Sequence, residues 1–500
     1  MSMASYTSEY GAPSQPTDDS LQVVFLGTGG GPNEDNVSGV LFHSTCVGWS
    51  KGSIVAVDAG VHLAAISKIL HKPLQLPNSE QKEDDKDSNS SSIQNGMRQP
   101  DVHPIYGRAP SDPSPVFPFQ GLRMPFKSAL ANAAFITRDL ISTFLITHPH
   151  LDHLSGFVIN SAAFQQTSRP KILAALPSTI NAIKAHIFND VIWPNLSDED
   201  GGVGLVNYRR LVDGGNRALG EGSGRGYIEV CEGISVKSYS VSHGHYMGTP
   251  NPPTTTHGSV ASSTTSPDAE RSRRPCAYDS TAFFIRSVAC GREVLIFGDV
   301  EPDSLSIAPR NARVWDEAAP KIAEGSLKAI FIECSFENAQ PDEALYGHLA
   351  PRHLFAELQT LARKVRQVRS ARDGAPNVAN TSAFRAHPSP YVASRDSLSN
   401  HNPSVGARSE YHSNEQVNGN KRKRSITNGV VEEQLIEPQT PTLERPPLLG
   451  LHVIIVHTKN FLRDGPSLGT KVMAQLEEYE YHAGLGCIFS LPTVGSTMFF

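Results

Sequence analysis

Apolar residues along this chain gather into short runs, each stopped by a glycine, an acid or a histidine. The first, LQVVFLG, begins at Leu21, ends on Gly27 and reads as a β-strand, with GTGGGP directly behind it. Runs of the same kind follow around Val40–Phe42, at SIVAVDAG (53–60), LISTFLITH (140–148) and KILAALP (171–177). More come with SYSVSHG (238–244), STAFFIRSV (280–288), EVLIFGD (293–299), KAIFIE (328–333), LGLHVIIVH (449–457) and LGCIFSLP (485–492). Longer amphipathic stretches predict helices from Ser178 to Phe188, from Pro351 past Leu361, and near 467–479. The pattern gives about ten strands with a few helices between them and no repeat of fixed period. That is the rhythm of one α/β domain spanning residues 21–500.

Between these elements the pattern breaks off. Residues 1–20 and inserts at about 72–117, 249–275 and 366–446 are rich in Ser, Asn, Pro and charge, as in NSEQKEDDKDSNSSSIQNG. Such segments cannot bury enough apolar surface to offset their ordering entropy, so they are expected to be disordered inserts in surface loops. They also explain why only 39% of the 500 residues are hydrophobic. A net charge of −6 gives no reason to expect a nucleic-acid or anionic-membrane partner. The six cysteines form no C-x-x-C pair and read as reduced thiols of an intracellular protein. The polar N-terminus has no secretory h-region, and no run reaches the ~20 apolar residues of a membrane span. A cytoplasmic protein is therefore expected. NKRKRS (420–425) offers a short basic run that would suit nuclear import, although a solvated charge cluster explains it as well.

The candidate chemistry sits at THPHLDHLSG (147–156). His148, His150, Asp152 and His153 place four metal-ligating side chains within six residues, immediately after an apolar strand. In extended backbone, side chains two apart point the same way, so His148 and His150 can share one cation; a turn then lets Asp152 and His153 address a second. Imidazole nitrogen and carboxylate oxygen suit Zn²⁺, Mn²⁺ or Fe. GTGGGP is no P-loop, because it lacks G-x-x-x-x-G-K-[ST]; a tight turn that brings backbone close to the site fits it better.

HxHxDH resembles the signature of the metallo-β-lactamase superfamily. The resemblance implies an αββα four-layer sandwich, interrupted here by the polar inserts. It also implies further site residues at strand ends, and each has a candidate: Asp58, His243, Asp299 and His457. By that resemblance His148, His150 and His243 hold one metal, Asp152, His153 and His457 the other, and Asp299 bridges two divalent ions, zinc or alternatively manganese or iron. Asp58 supports the site from behind, and His245 is an alternative to His243.

The longer stretch HPHLDHLSGFVINSA looks like the signature of class II cyclic-nucleotide phosphodiesterases, and FLGTGGGP, IECSFEN (332–338) and YGHLAP (346–351) also resemble that family. The implied activity is hydrolysis of 3′,5′-cyclic nucleotides, cyclic AMP and also cyclic GMP, to 5′-monophosphates. Related tRNA 3′-end-processing endonucleases carry a Glu and a His in similar surroundings, which assigns a catalytic role on the leaving oxygen to Glu333 and His348. Asp152 counts as both ligand and catalytic residue. The substrate is a small molecule, no nucleic-acid or membrane partner is called for, and a homodimer is compatible with the reading. The alternatives are an RNA phosphodiesterase on the same fold, a thioester or lactam hydrolase, and a non-catalytic scaffold.

Overall fold

Strands built almost wholly from Val, Ile, Leu and Phe are buried on both faces, as happens when a sheet is covered on each side. β1 (Leu21–Gly27) and β10 (Glu293–Phe297) are buried along their whole length. The computed structural model describes residues 20–71, 117–248, 274–373 and 445–500. One seven-stranded sheet contains β1, β2 (Gly39–Ser44), β3 (Ile54–Val57), β4 (Ile141–Leu145), β5 (Lys171–Ala175) and β6 (Val206–Arg210) in that order, with β14 (Thr497–Phe499) outside β1. The second contains β7 (Ile228–Cys231), β8 (Ile234–Gly248), β9 (Arg274–Ser287), β10, β11 (Leu327–Glu333), β12 (His452–Val456) and β13 (Ile488–Ser490), also in chain order.

The two sheets pack face to face. Phe25 and Phe42 of the first meet Phe331 of the second, with ring centroids 5.9 and 6.0 Å apart. Truncating a buried phenylalanine such as Phe331 to Ala costs roughly 3–5 kcal/mol. Helices α1 (Leu63–His71), α2 (Ala129–Phe135), α3 (Leu151–Asn160) and α4 (Pro177–His186) are associated with the first sheet; Ile66, Phe157 and Ile180 join Phe144 in one outer core. Helices α5 (Asn311–Glu324), α6 (Pro351–Asp373) and α7 (Leu468–Ala483) cover the second; Trp315, Leu358 and Val472 pack with Phe297 and Ile455. This is the four-layer αββα sandwich of the metallo-β-lactamase type.

Strand direction places the site. β3 and β4 are parallel neighbours, as are β10, β11 and β12. β8 is antiparallel to β9, which is antiparallel to β10, so β8 also runs with them. The C-terminal ends of six strands therefore open at one edge of the sandwich.

Some boundaries differ from the sequence expectation. The third insert was expected from 366, but α6 continues to Asp373. Its last two turns, RQVRSARD, are half charged, and from Val365 onward only Val365 and Val368 reach the core, so composition hid a helix with a narrow apolar stripe. Arg274 and Pro275, placed in the second insert, open β9. Fourteen strands exist among the described residues rather than about ten. The additional ones include β6, β7 and β14, short edge strands held by backbone pairing more than by an apolar pattern. The tail at 1–19, the interiors of all three inserts and NKRKRS lie outside the described residues. No helix among the described residues is long and apolar enough to cross a membrane.

Candidate metal centre

β4 ends at Leu145, and the chain bends at Thr147 and Pro149 before reaching His150, which is the N-cap of α3 (φ −70°, ψ 150°) but makes no capping hydrogen bond with its side chain. His148 and His150 face each other, Nε2 to Nδ1 at 3.0 Å. Asp152 and His153 occupy the first turn of α3. The expected turn after His150 is thus the start of a helix.

The other strand ends supply the rest. Asp299 lies two residues beyond β10, buried, and its two oxygens face different groups. Oδ2 is 3.7 Å from His148 Nε2 and 3.5 Å from His243 Nε2; Oδ1 is 3.2 Å from His153 Nε2 and 3.3 Å from His457 Nε2. His457 Nε2 also lies 3.3 Å from Asp152 Oδ2. Two four-residue sets result, His148–His150–His243–Asp299 and Asp152–His153–Asp299–His457, each with donor atoms within 4.8 Å of one another. The structure brings His243 into the cluster and leaves His245 exposed on the far side of a bulge.

Backbone strain aims two of these side chains. Asp58 and His457, one residue past β3 and β12, both adopt left-handed φ, 55° and 56°. The Asp58 carboxylate accepts from Thr147 N–H at 2.8 Å, from the Thr147 hydroxyl and from His153 Nδ1 at 2.7 Å, which turns His153 Nε2 into the cluster. His457 is held by its backbone N–H to the Thr28 carbonyl at 2.6 Å and by Ser335 Oγ, 3.2 Å from its Nδ1. A Cβ on Gly30 would stand 2.5 Å from the His457 ring, so the GTGGGP turn does bring backbone against the site, and only glycine fits there.

Glu333 closes β11 and is buried with every lone pair engaged. Oε1 accepts from Val300 N–H at 2.8 Å and His348 Nδ1 at 2.9 Å, while Oε2 accepts from Ser335 Oγ at 2.6 Å and Leu349 N–H at 3.3 Å. His243, Asp299, Glu333 and His348 make a third converging set. The saturated Glu333 carboxylate suits it to orienting His348 rather than to binding a cation. His243 Nδ1 in turn donates to the Gly347 carbonyl at 2.9 Å, tying the His348 loop to β8.

The charges respond to this crowding. Burial, reinforced by the like charge of His153, holds His148 well below the usual imidazole range. Burial lowers His243 to about 4. Burial also opposes charge on His153, but Asp299 and Asp58 together raise it well above its ordinary value. His348 is likewise raised, burial being outweighed by Glu333. Burial pushes Asp299 upward, and His457, His153 and His148 more than reverse that.

A divalent cation fits this donor set. Despite its near neighbours, buried Asp299 Oδ1 accepts no aligned hydrogen bond. His153 and His457 set Nε2 against Nε2 at 3.2 Å, and His148 sets Nε2 against His150 Nδ1. Facing nitrogens and an orphaned buried carboxylate oxygen are costly without a positive centre between them. Sequence reasoning missed Thr147 and Ser335, which orient ligand candidates, although both sit inside the motifs it singled out. It also missed Tyr278, whose ring stands against His150 at 5.8 Å, in the stretch between the second insert and the STAFFIRSV strand.

The sandwich and its histidine-rich edge define a metallo-β-lactamase-type protein with a divalent-metal site. The model for class-II cAMP phosphodiesterases matches residues 123–378, just over half of the chain. The chain belongs to that family. His457 and Asp58 lie outside the matched stretch, yet the fold delivers both to the cluster. Among curated relatives, a 3′,5′-cyclic-nucleotide phosphodiesterase of Schizosaccharomyces pombe is 32% identical over 228 residues, 46% of this chain and 53% of that enzyme. One from Candida albicans is 26% identical over 391 residues, 70% of this chain and 84% of that enzyme. The crystal structure of unliganded yeast PDE1 superposes with a TM-score of 0.58 at 19% identity, covering 97% of this chain and 100% of that one.

Proposed function

We propose that this protein hydrolyses 3′,5′-cyclic nucleotides to nucleoside 5′-monophosphates, with cyclic AMP as substrate and cyclic GMP accepted. The observation that carries the reading is the pair of donor sets sharing Asp299, with the Glu333–His348 pair beside them, in a chain of this family. His148, His150, His243 and Asp299 would hold one divalent ion, and Asp152, His153, His457 and Asp299 a second, zinc being best suited to so many imidazoles. When bound, such ions activate water and offset charge developing on the phosphoryl oxygens.

The remaining steps belong to the chain. Asp152, the most exposed member of its set with its side chain 28% accessible, orients the attacking water as an acceptor. Water oxygen bonds to phosphorus, the bond from phosphorus to the 3′ oxygen breaks, and the water's proton passes to solvent. His348, with Nδ1 committed to Glu333, offers Nε2 as the donor that protonates the departing 3′ oxygen. Glu333 fixes that ring and stabilises its charged form. Asp58 fixes the His153 ring from behind the cluster, holding its Nδ1–H so that the lone pair of a neutral Nε2 faces the ion.

The test is one assay. Purified full-length protein is given cyclic AMP, cyclic GMP, a precursor tRNA and an aryl phosphodiester, each with and without chelator. Chelator-sensitive release of 5′-AMP supports the reading. Turnover of the tRNA alone, or unchanged activity after metal stripping, would overturn it. The expectation of a cytoplasmic enzyme acting on a small molecule belongs to the same proposal.

A further inference from the structure

The strands that bring His243 to the cluster do not stop there. After a bulge between Ser242 and His245, β8 and β9 continue as a two-stranded ribbon, paired from His245↔Ala277 to Gly248↔Arg274. Tyr246 pairs with Cys276, so Tyr278, two residues on, stands diagonal to it on the same face. Their ring centroids are 4.6 Å apart and the planes tilt by 35°. Tyr278 also meets the His150 ring edge to face, at 5.8 Å and 69°. Both tyrosines remain open to solvent, Tyr246 by 44% and Tyr278 by 41%, and neither belongs to any of the apolar cores.

Two exposed aromatic rings braced against one another, one of them touching a candidate ligand, are not accounted for by packing. A packing role would bury them; a surface role would not set one against His150. The mutual contact restricts both rings before any ligand arrives, which lowers the entropy lost on binding. A cyclic nucleotide is compact: its phosphate is fused to the ribose, and the base hangs one glycosidic bond away. With the phosphoryl group at the His148–His150–His243–Asp299 set, the ring beside His150 is an aromatic surface that adjoins it directly.

We infer that Tyr278, backed by Tyr246, is the platform on which the purine of the substrate stacks, and so sets the preference for nucleotides over other phosphodiesters. The inference rests on the phosphodiesterase reading above. Every base presents a π-face, so the platform favours a base without choosing between adenine and guanine. That agrees with one site accepting both cyclic AMP and cyclic GMP.

The experiment compares wild type with Tyr278→Ala, Tyr278→Phe and Tyr246→Ala in the metal-loaded full chain. The substrates are cyclic AMP and a base-free ribose 3′,5′-cyclic phosphate, and calorimetric binding of cyclic AMP to chelator-treated protein gives a readout independent of turnover. Losing one stacked base is worth roughly tenfold or more. For Tyr278→Ala the ratio of kcat/KM between cyclic AMP and the base-free substrate should therefore fall roughly tenfold, mostly through KM, and cyclic AMP binding should weaken in step. Tyr278→Phe should keep the wild-type ratio, and Tyr246→Ala should lie between. An unchanged ratio and unchanged binding in Tyr278→Ala would overturn the platform while leaving the phosphodiesterase reading intact. A wild type that hydrolyses neither cyclic substrate would overturn the reading itself, and the platform with it.

Discussion

β10 carries a buried carboxylate at each end, and the two are treated in opposite ways. Glu293, its first residue, accepts from Tyr227 hydroxyl at 2.5 Å, Arg286 Nη1 at 2.8 Å and Lys321 Nζ at 3.0 Å. Lys321 also donates to the Tyr227 oxygen at 3.0 Å, so the network closes on itself. Asp299, two residues past the last, is just as buried but has an oxygen with no hydrogen bond, among imidazoles whose nitrogens confront each other. Burial of charge does not distinguish a functional site from a structural one. Between these two carboxylates the difference lies in whether the polar atoms are satisfied within the chain.

That contrast can be broken first at Asp299. Replacement by Ala should lower kcat for cyclic AMP by roughly 10³-fold, the order expected when a preorganised electrostatic element is lost, with far-ultraviolet dichroism unchanged. Activity retained within a factor of ten would remove the functional half of the comparison. At the other end, Glu293→Ala leaves Lys321 and Arg286 buried without their acid and should cost about 3 kcal/mol in urea unfolding, with kcat nearly preserved. Loss of turnover with stability intact would invert the comparison.

A smaller effect is expected behind the cluster. Asp58→Asn should weaken divalent-metal retention by about 10–100-fold in competition with a chelator, because an amide holds His153 Nδ1 less firmly than a carboxylate does. Retention equal to wild type would mean that His153 is oriented by something else.

The least effect is one of pH. Lys171 donates to the Arg138 carbonyl at 2.7 Å and to that of Ile141, and burial lowers its pKa from 10.5 to about 8. The unfolded chain then binds more protons than the folded one between those values, so this residue's contribution to stability rises from pH 8 to 10.5 and is lost as pH falls back to 8. In Lys171→Met that increment should vanish. Melting curves of both proteins across the window check it, and parallel pH profiles would show that Lys171 titrates normally.

The fold was legible wherever apolar runs were continuous, as at EVLIFGD, KAIFIE and VIIVH, because a strand covered on both faces writes its burial into every residue. β6 and β14 left little trace, since edge strands depend on their neighbours' backbone. HPHLDH was legible because its donors are adjacent in sequence. Asp299, His243 and His457 became candidates through the family pattern alone, for only the parallel arrangement of strands brings positions so far apart to one edge. The tyrosine ribbon was invisible: Tyr246 and Tyr278 are separated by an insert, and register alone sets them side by side.

Asp58 and His457 share the left-handed bend at the end of their strands, a conformation that glycine adopts freely and other residues resist by about 1 kcal/mol or more. Exchanging either for glycine would relieve the main chain at that joint and remove a side chain on which the site depends. Engineering this protein for heat resistance would thus meet its first limit at these two joints, where relaxing the main chain and keeping the chemistry are incompatible aims.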